Sequence, residues 1–222
     1  MDDTPSTQVK LQAGIVPVTP LQQNCTLVWN EATMDGVVID PGGDVDNIMA
    51  AIEKSGANIK NIFLTHGHID HAGGADELRE RLGVEIIGPH EDDRFLLESL
   101  EQSGAQYGIA GSRNVEPDKW LSHGNTVTLA GCDWRVFHCP GHSPGSVVFF
   151  QPEARIALVG DVLFRGSIGR TDLPRGNHQQ LLDSIRDHLL PLGDEVGFLC
   201  GHGPGSTIGQ ERQINPFLQG LS

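Results

Sequence analysis

The residues best suited to chemistry in this chain of 222 lie in one heptapeptide, Thr65-His66-Gly67-His68-Ile69-Asp70-His71. Three histidines and a carboxylate packed this closely form a donor set for a cation, because imidazole nitrogen and carboxylate oxygen suit zinc, iron and manganese alike. The segment directly follows the apolar run Asn61-Ile62-Phe63-Leu64. While the backbone is still extended, His66 and His68 point to the same side, and a turn can then swing Asp70 and His71 onto a neighbouring position. Gly67, Gly73 and Gly74 let the backbone fold closely around a small object, which a solvated polar turn does not need.

Three further donors occupy the same local setting, each in a polar or glycine-rich turn beside an apolar strand. His142 lies in Cys139-Pro140-Gly141-His142-Ser143-Pro144-Gly145, Asp161 follows Ile156-Ala157-Leu158-Val159-Gly160, and His202 follows Gly197-Phe198-Leu199-Cys200-Gly201. Strand-end loops are where rigid scaffolds present functional groups. Five histidines and two aspartates exceed the needs of one tetrahedral zinc, but they suit two divalent cations that share a carboxylate and a water. Zinc fits this nitrogen and oxygen set, with iron or manganese as alternatives. The remaining histidines, His90, His123, His138, His178 and His188, belong to no such cluster in the sequence and are expected at the surface or behind the ligands.

The elements that must position these groups are legible in outline. Short Val-, Ile- and Phe-rich runs at 25–29, 37–39, 62–64, 85–87, 127–129, 135–137, 147–150, 156–159 and 198–199 predict strands, several of them apolar on both faces and so buried. Helical periodicity appears at 45–54, 75–82, 94–102 and 179–189, each segment bounded by Gly, Pro or Asp. Helices packed over sheets follow, in a single domain over 9–222 preceded by a flexible stretch at 1–8.

Composition narrows the partners. Fifteen Lys+Arg against 29 Asp+Glu give a formal charge of −14, a field that repels polyanions and argues against nucleic acid. The four cysteines, Cys25, Cys132, Cys139 and Cys200, form no CxxC pair and are expected as reduced, buried thiols. No stretch approaches the roughly 18 apolar residues of a spanning helix, and no leader is visible. The expectation is a cytoplasmic protein that does not engage membranes and that is monomeric.

The order and intervals of His66-x-His68-x-Asp70-His71, His142, Asp161 and His202 resemble the metallo-β-lactamase superfamily, and more closely its glyoxalase II (hydroxyacylglutathione hydrolase) branch. The resemblance runs from about Ile15 to Leu218 and extends to Gly160-Asp161-Val162-Leu163-Phe164, Gly169-Arg170-Thr171-Asp172 and Glu211-Arg212-x-x-Asn215-Pro216, as in small bacterial glyoxalase II-like proteins. It implies an α/β fold, an αββα sandwich of two mixed sheets flanked by helices. It implies that His66, His68 and His142 hold one metal and Asp70, His71 and His202 the other, with Asp161 bridging them. Asp70 would also serve catalysis beside a metal-bound hydroxide. Asp40 matches an aspartate that braces a ligand histidine, and Arg170 stands where that branch places a basic contact to glutathione.

The implied reaction is hydrolysis of a small-molecule thioester, S-lactoylglutathione or a related 2-hydroxyacyl thioester, since a thiolate leaves with little acid help. An iron-dependent persulfide dioxygenase of the same fold is the alternative, because that branch shares the Gly169–Asp172-like motif. Departures from the pattern bear on substrate: Asp172 and Pro204 replace two tyrosines expected to grip glutathione, and the helical domain that longer relatives carry after the last ligand has no counterpart here. β-Lactam hydrolysis is not expected, because Asp161 stands where the commonest zinc β-lactamases have cysteine.

Overall fold

The computed structural model describes residues 10–221, so the stretch 1–8 expected to be flexible lies outside the described residues. Chain order begins with β1 (Leu11–Val18), β2 (Gln23–Asn30), β3 (Asp35–Ile39), α1 (Val45–Ser55), β4 (Asn58–Phe63), α2 (Ile69–Ala72), α3 (Ala75–Leu82) and β5 (Glu85–Ile87). A turn of 3-10 helix at Glu91–Asp93 leads into α4 (Arg94–Leu97) and α5 (Leu100–Tyr107). There follow β6 (Thr126–Leu129), β7 (Cys132–His138), β8 (Val147–Gln151), β9 (Ile156–Leu158), a small ribbon of β10 (Leu163–Phe164) and β11 (Ser167–Ile168), α6 (His178–Ser184), β12 (Gly197–Leu199), β13 (Ser206–Thr207) and α7 (Ile208–Ile214).

Two mixed sheets result. The first runs β1-β2-β3-β4-β5 and the second β13-β12-β9-β8-β7-β6. In the first, β3, β4 and β5 are parallel and the rest antiparallel; in the second, only β9 and β12 are parallel. Strand alternation divides the apolar side chains between two faces. Val37 and Ile39 of β3, Phe63 of β4, and Val147 and Phe149 of β8 meet in a core between the sheets. There the Phe63 and Phe149 rings lie edge to face at 5.6 Å. The alternate residues face outward: Val38 and Ile62 meet Ile48, Ile52 and Leu78 of α1 and α3, whereas Val148 and Phe150 meet Leu181 and Ile185. Burying each large side chain contributes about 1.5–3 kcal/mol, which is why runs apolar on both faces commit to the interior. This is the layered α/β architecture the sequence predicts.

The differences are local. The helix predicted over 94–102 is two, because the Ser99 hydroxyl donates to the carbonyls of Phe95 and Leu96 at 2.9 and 3.1 Å and the ladder resets there. The helix predicted over 179–189 begins at His178 and widens to a π turn at Ile185–Leu189. Strand β1 has no counterpart in the predicted set. It is an edge strand with several exposed residues, and its eight-pair register with β2 supplies what its composition does not.

Candidate metal centre

The donors follow strand ends: His66 and His68 in the loop after β4, Asp70 and His71 in the short α2 that succeeds it, His142 between β7 and β8, Asp161 after β9 and His202 after β12. Backbone bonds knit these loops together. Val147 N donates to Thr65 O at 2.8 Å, Gly201 N to Gly160 O at 2.9 Å, and Asn24 N to Gly201 O at 2.8 Å. Gly201 shows why glycine is required: a Cβ there would overlap Asp161 Oδ1 and the His71 ring.

The donors gather into two adjoining groups, His66, His68 and His142 in one and Asp70, His71 and His202 in the other. Asp161 stands between them. Its Oδ1 is 3.3 Å from His71 Nε2, and its Oδ2 is 3.5 Å from His142 Nε2 and 3.6 Å from His202 Nε2. In the second group Asp70 Oδ2 lies 3.1 Å from His202 Nε2. In the first, His68 Nδ1 and His142 Nε2 approach to 2.9 Å.

Three buried polar atoms at the junction, His66 Nε2, His71 Nε2 and Asp161 Oδ1, have no hydrogen-bond partner. Orphaned buried donors and acceptors are costly, and these three converge on one small volume. A pair of divalent cations would satisfy them all, so the residues fit a dinuclear site.

Partners behind the donors aim them. Asp40 Oδ2 is 2.9 Å from His71 Nδ1, and the same carboxylate accepts from Thr65 N at 2.7 Å and Thr65 Oγ1 at 2.6 Å. Asp40 holds this position with a left-handed φ of 54°, a conformation that side-chain-bearing residues keep only where their surroundings over-determine it. His142 Nδ1 donates to Arg170 O at 2.8 Å, which leaves Nε2 facing the first group.

Charge divides the two groups. Burial first, then neighbouring His142, pulls the His68 pKa down to about 3, and burial likewise holds His66 well below the usual histidine range. For His71 burial also opposes charge, but the Asp161, Asp70 and Asp40 carboxylates outweigh it and raise the pKa; His202 is raised the same way, against burial, by its hydrogen bond to Asp70 and by Asp161. Burial works against Asp161 ionisation as well, yet His71 prevails and holds its carboxyl well below the usual range.

Several positioning residues are absent from the sequence reading. Asp93 is fully buried and clamps two donor loops, accepting from Gly67 N at 2.8 Å, Ser143 Oγ at 2.7 Å and Gly145 N at 2.6 Å. Nothing in Glu91-Asp92-Asp93-Arg94 distinguishes it from a solvated helix start. Asn24 Nδ2 donates to Cys200 O at 3.0 Å and Gly203 O at 2.8 Å, steadying the His202 loop. Its signal was available: polar residues opening a strand that is buried throughout its first six positions.

The other histidines stand apart from this centre, His123 and His178 exposed and His90, His138 and His188 partly so, and four of them meet in pairs. His90 and His138 stack at 3.9 Å beside Asp92, and His123 and His188 pair at 4.7 Å. They lie far apart in sequence, and the packing of the end of β7, two loops and the π turn after α6 joins them. The stack is no second chelate: near-parallel rings cannot both place one cation in their planes, and His138 Nε2 already meets Pro144 O at 2.7 Å. All four cysteines are free and buried.

Arg170 reaches the pocket over the clusters, but its guanidinium is held by Asp172 through Nε–Oδ1 and Nη2–Oδ2 contacts of 2.7 Å each. That pocket, of about 840 Å³, is floored by His68, Asp70, His142, Asp161 and His202. Among the described residues no helix is long and apolar enough to cross a membrane.

Comparison with known proteins agrees with this geometry. The chain is 44% identical over 209 residues to "Hydroxyacylglutathione hydrolase GloC" of Haemophilus influenzae, covering 94% of this chain and 98% of that one. Among solved structures, "BLEG-1 B3 metallo-beta-lactamase" matches with TM-score 0.86 at 36% identity, covering 94% of this chain and all of that one (100%). "TTHA1623 in a di-iron-bound form" matches with TM-score 0.83 at 38% identity, covering 92% and 100% respectively. Residues 18–202 match the family described as the Metallo-beta-lactamase superfamily. With that match, the two facing mixed sheets and the adjoining His/Asp clusters that could hold metal, the chain belongs to the metallo-β-lactamase superfamily and is a metallo-hydrolase of its fold.

Proposed function

We propose that the protein is a thioester hydrolase that uses two divalent cations, zinc or alternatively iron or manganese, and acts on S-lactoylglutathione or a related 2-hydroxyacyl thioester. The observation that carries this reading is the Asp161 carboxylate, set between two donor groups on the floor of an open pocket. The likeness to a hydroxyacylglutathione hydrolase over nearly the whole of both chains supports it. Cations held there would polarise a carbonyl and supply hydroxide near neutral pH.

The chain's own residues supply the geometry. His66, His68 and His142 are the proposed ligands of one cation and Asp70, His71 and His202 of the other, with Asp161 shared. Asp40 fixes the His71 ring and the Arg170 carbonyl fixes that of His142, so their Nε2 atoms face the junction. Water adds across the thioester, the C–S bond breaks, and the sulfur departs as thiolate without needing a dedicated acid. Arg170 is the candidate contact for a substrate carboxylate. The reading takes residues 9–222 as one domain, working as a monomer in the cytoplasm.

The test is a substrate panel on protein loaded with zinc, iron or manganese: S-lactoylglutathione, a β-lactam chromogen, and glutathione persulfide with an oxygen electrode. Thioester loss that chelation abolishes is the expected result. Oxygen uptake with persulfide, or β-lactam turnover, in the absence of thioester hydrolysis would overturn the assignment.

A further inference from the structure

Two walls of the pocket over the donors carry polar groups that the hydrolytic chemistry leaves unused. The first wall is α5. Ser99, Ser103, Gln106 and Tyr107 line the pocket, and their three- and four-residue spacing sets them along one side of the helix, whereas Leu100 and Gly104 are buried. Gly108, left-handed at φ 71°, ends the helix and leaves Tyr107 in its last turn. This is the chain's one tyrosine, and at 47% exposure it is among the few large hydrophobic side chains that the fold leaves in water. A half-exposed phenol on a concave surface offers a flat apolar contact and a hydroxyl donor together, at little cost in side-chain order.

The second wall is the loop after β11, which carries Arg170 into the same pocket. A guanidinium holds more N–H bonds than one carboxylate can accept. Asp172 takes Nε and one N–H of Nη2, at 2.7 Å each, so Nη1 and the outer N–H of Nη2 stay open for a further acceptor. Asp172 thus orients the fork without filling it. Because the Arg170 side chain is 64% exposed, that restraint removes freedom which a ligand would otherwise have to remove. The two walls are tied where Arg175, on the same loop, lays its guanidinium over the ring of Phe95 in α4 at 4.0 Å. Tyr107 lies near enough to Arg170 to add to the rise that Asp172 causes in the guanidinium pKa.

We infer that Tyr107 and the open edge of Arg170 form a two-point site for one carboxylate on the thiol moiety of the substrate, which makes Tyr107 a specificity-determining residue. Ser103 and Gln106, on the same side of α5, present a hydroxyl and an amide to the rest of that moiety, and the amide groups of a peptidic thiol are matching partners. The substrate class is a thioester of a short, carboxylate-bearing peptidic thiol, to which S-lactoylglutathione belongs. The inference rests on the thioester-hydrolase reading for its reaction, but the binding site stands on the two walls alone.

Calorimetry on the metal-loaded full chain tests the site with two inert thioethers, S-propylglutathione and its diethyl ester, in which both carboxylates are masked. The acid should bind about tenfold more tightly than the ester, the scale of a hydrogen bond to a charged group. Tyr107→Phe, which keeps the ring and loses the hydroxyl, and Arg170→Ala should each remove much of that preference and leave ester binding unchanged. Combined, they should lose less than the sum of their separate losses, because both grip one group. With S-lactoylglutathione, Tyr107→Phe should raise KM several-fold and keep kcat within about twofold. Acid and ester bound alike by the wild type, a Tyr107→Phe protein with unaltered preference, or losses that add in full in the double variant would each overturn the shared site. A preference for the acid that both variants weaken, without thioester turnover in any loaded form, would sink the hydrolase reading and keep the site.

Discussion

Replacing Asp93 by Ala removes no proposed ligand, yet it is expected to empty the first donor group before the second. The carboxylate is the shared acceptor for Gly67 N, between His66 and His68, and for Gly145 N, three residues after His142. Both glycines are buried, so the truncation leaves two backbone N–H groups without partners, at about 1–3 kcal/mol each. Ser143 Oγ is less affected, because Ser146 Oγ already lies 2.7 Å away. Burial raises the Asp93 pKa against its three hydrogen bonds, so part of the loss is returned when the buried carboxylate goes. The net destabilisation should be about 2–5 kcal/mol, with a loss of about 10–100-fold in cation affinity at the group of His66, His68 and His142. Asp93→Asn, which keeps the volume and one acceptor oxygen, should fall between the two proteins. Urea denaturation and elemental analysis after dialysis against graded chelator read both effects. An Asp93→Ala protein that keeps its full cation content and loses less than about 1 kcal/mol would show that the clamp does not position the ligands.

Three further outcomes follow from the same geometry. Asp161→Ala should lower the cation content of both groups, whereas Asp70→Ala should spare the first; elemental analysis showing both cations retained without Asp161 would refute its bridging role. Gly201→Ala should displace Asp161 and His71, costing about 1–3 kcal/mol in denaturation experiments together with cation affinity, although no donor is removed; wild-type metal content would count against the required close approach. On acidification the second group should release its cation first. His71 and His202 have raised pKa values, so protons displace a cation from them at higher pH than from His66 and His68, which burial keeps neutral, His68 down to about 3. Metal retention at stepped pH from 7 to 5 in wild type and in Asp70→Ala checks the order, and simultaneous release would contradict it.

The sequence by itself marked the candidate donors and determined the layers. His66, His68, Asp70 and His71 are marked by density within one heptapeptide, and His142, Asp161 and His202 by their place after apolar runs, because a ligand must be polar where a strand has just been apolar. Strands such as β3 and β8, and the Ile62-Phe63 end of β4, declare themselves through adjacent Val, Ile and Phe, since both of their faces are buried there. Tertiary structure alone decided which donor faces which, since Asp161 meets His71 and His142 only after β9 has been laid beside β12 and β8. It also decided Asp93, whose acid side chain has the composition of a solvated turn and becomes a clamp when two distant loops close over it. The break at Ser99, the pairing of His90 with His138 and the capture of Arg170 by Asp172 belong to the same class. Each depends on directional contacts of a single side chain, and the periodicity of a sequence carries burial but not direction.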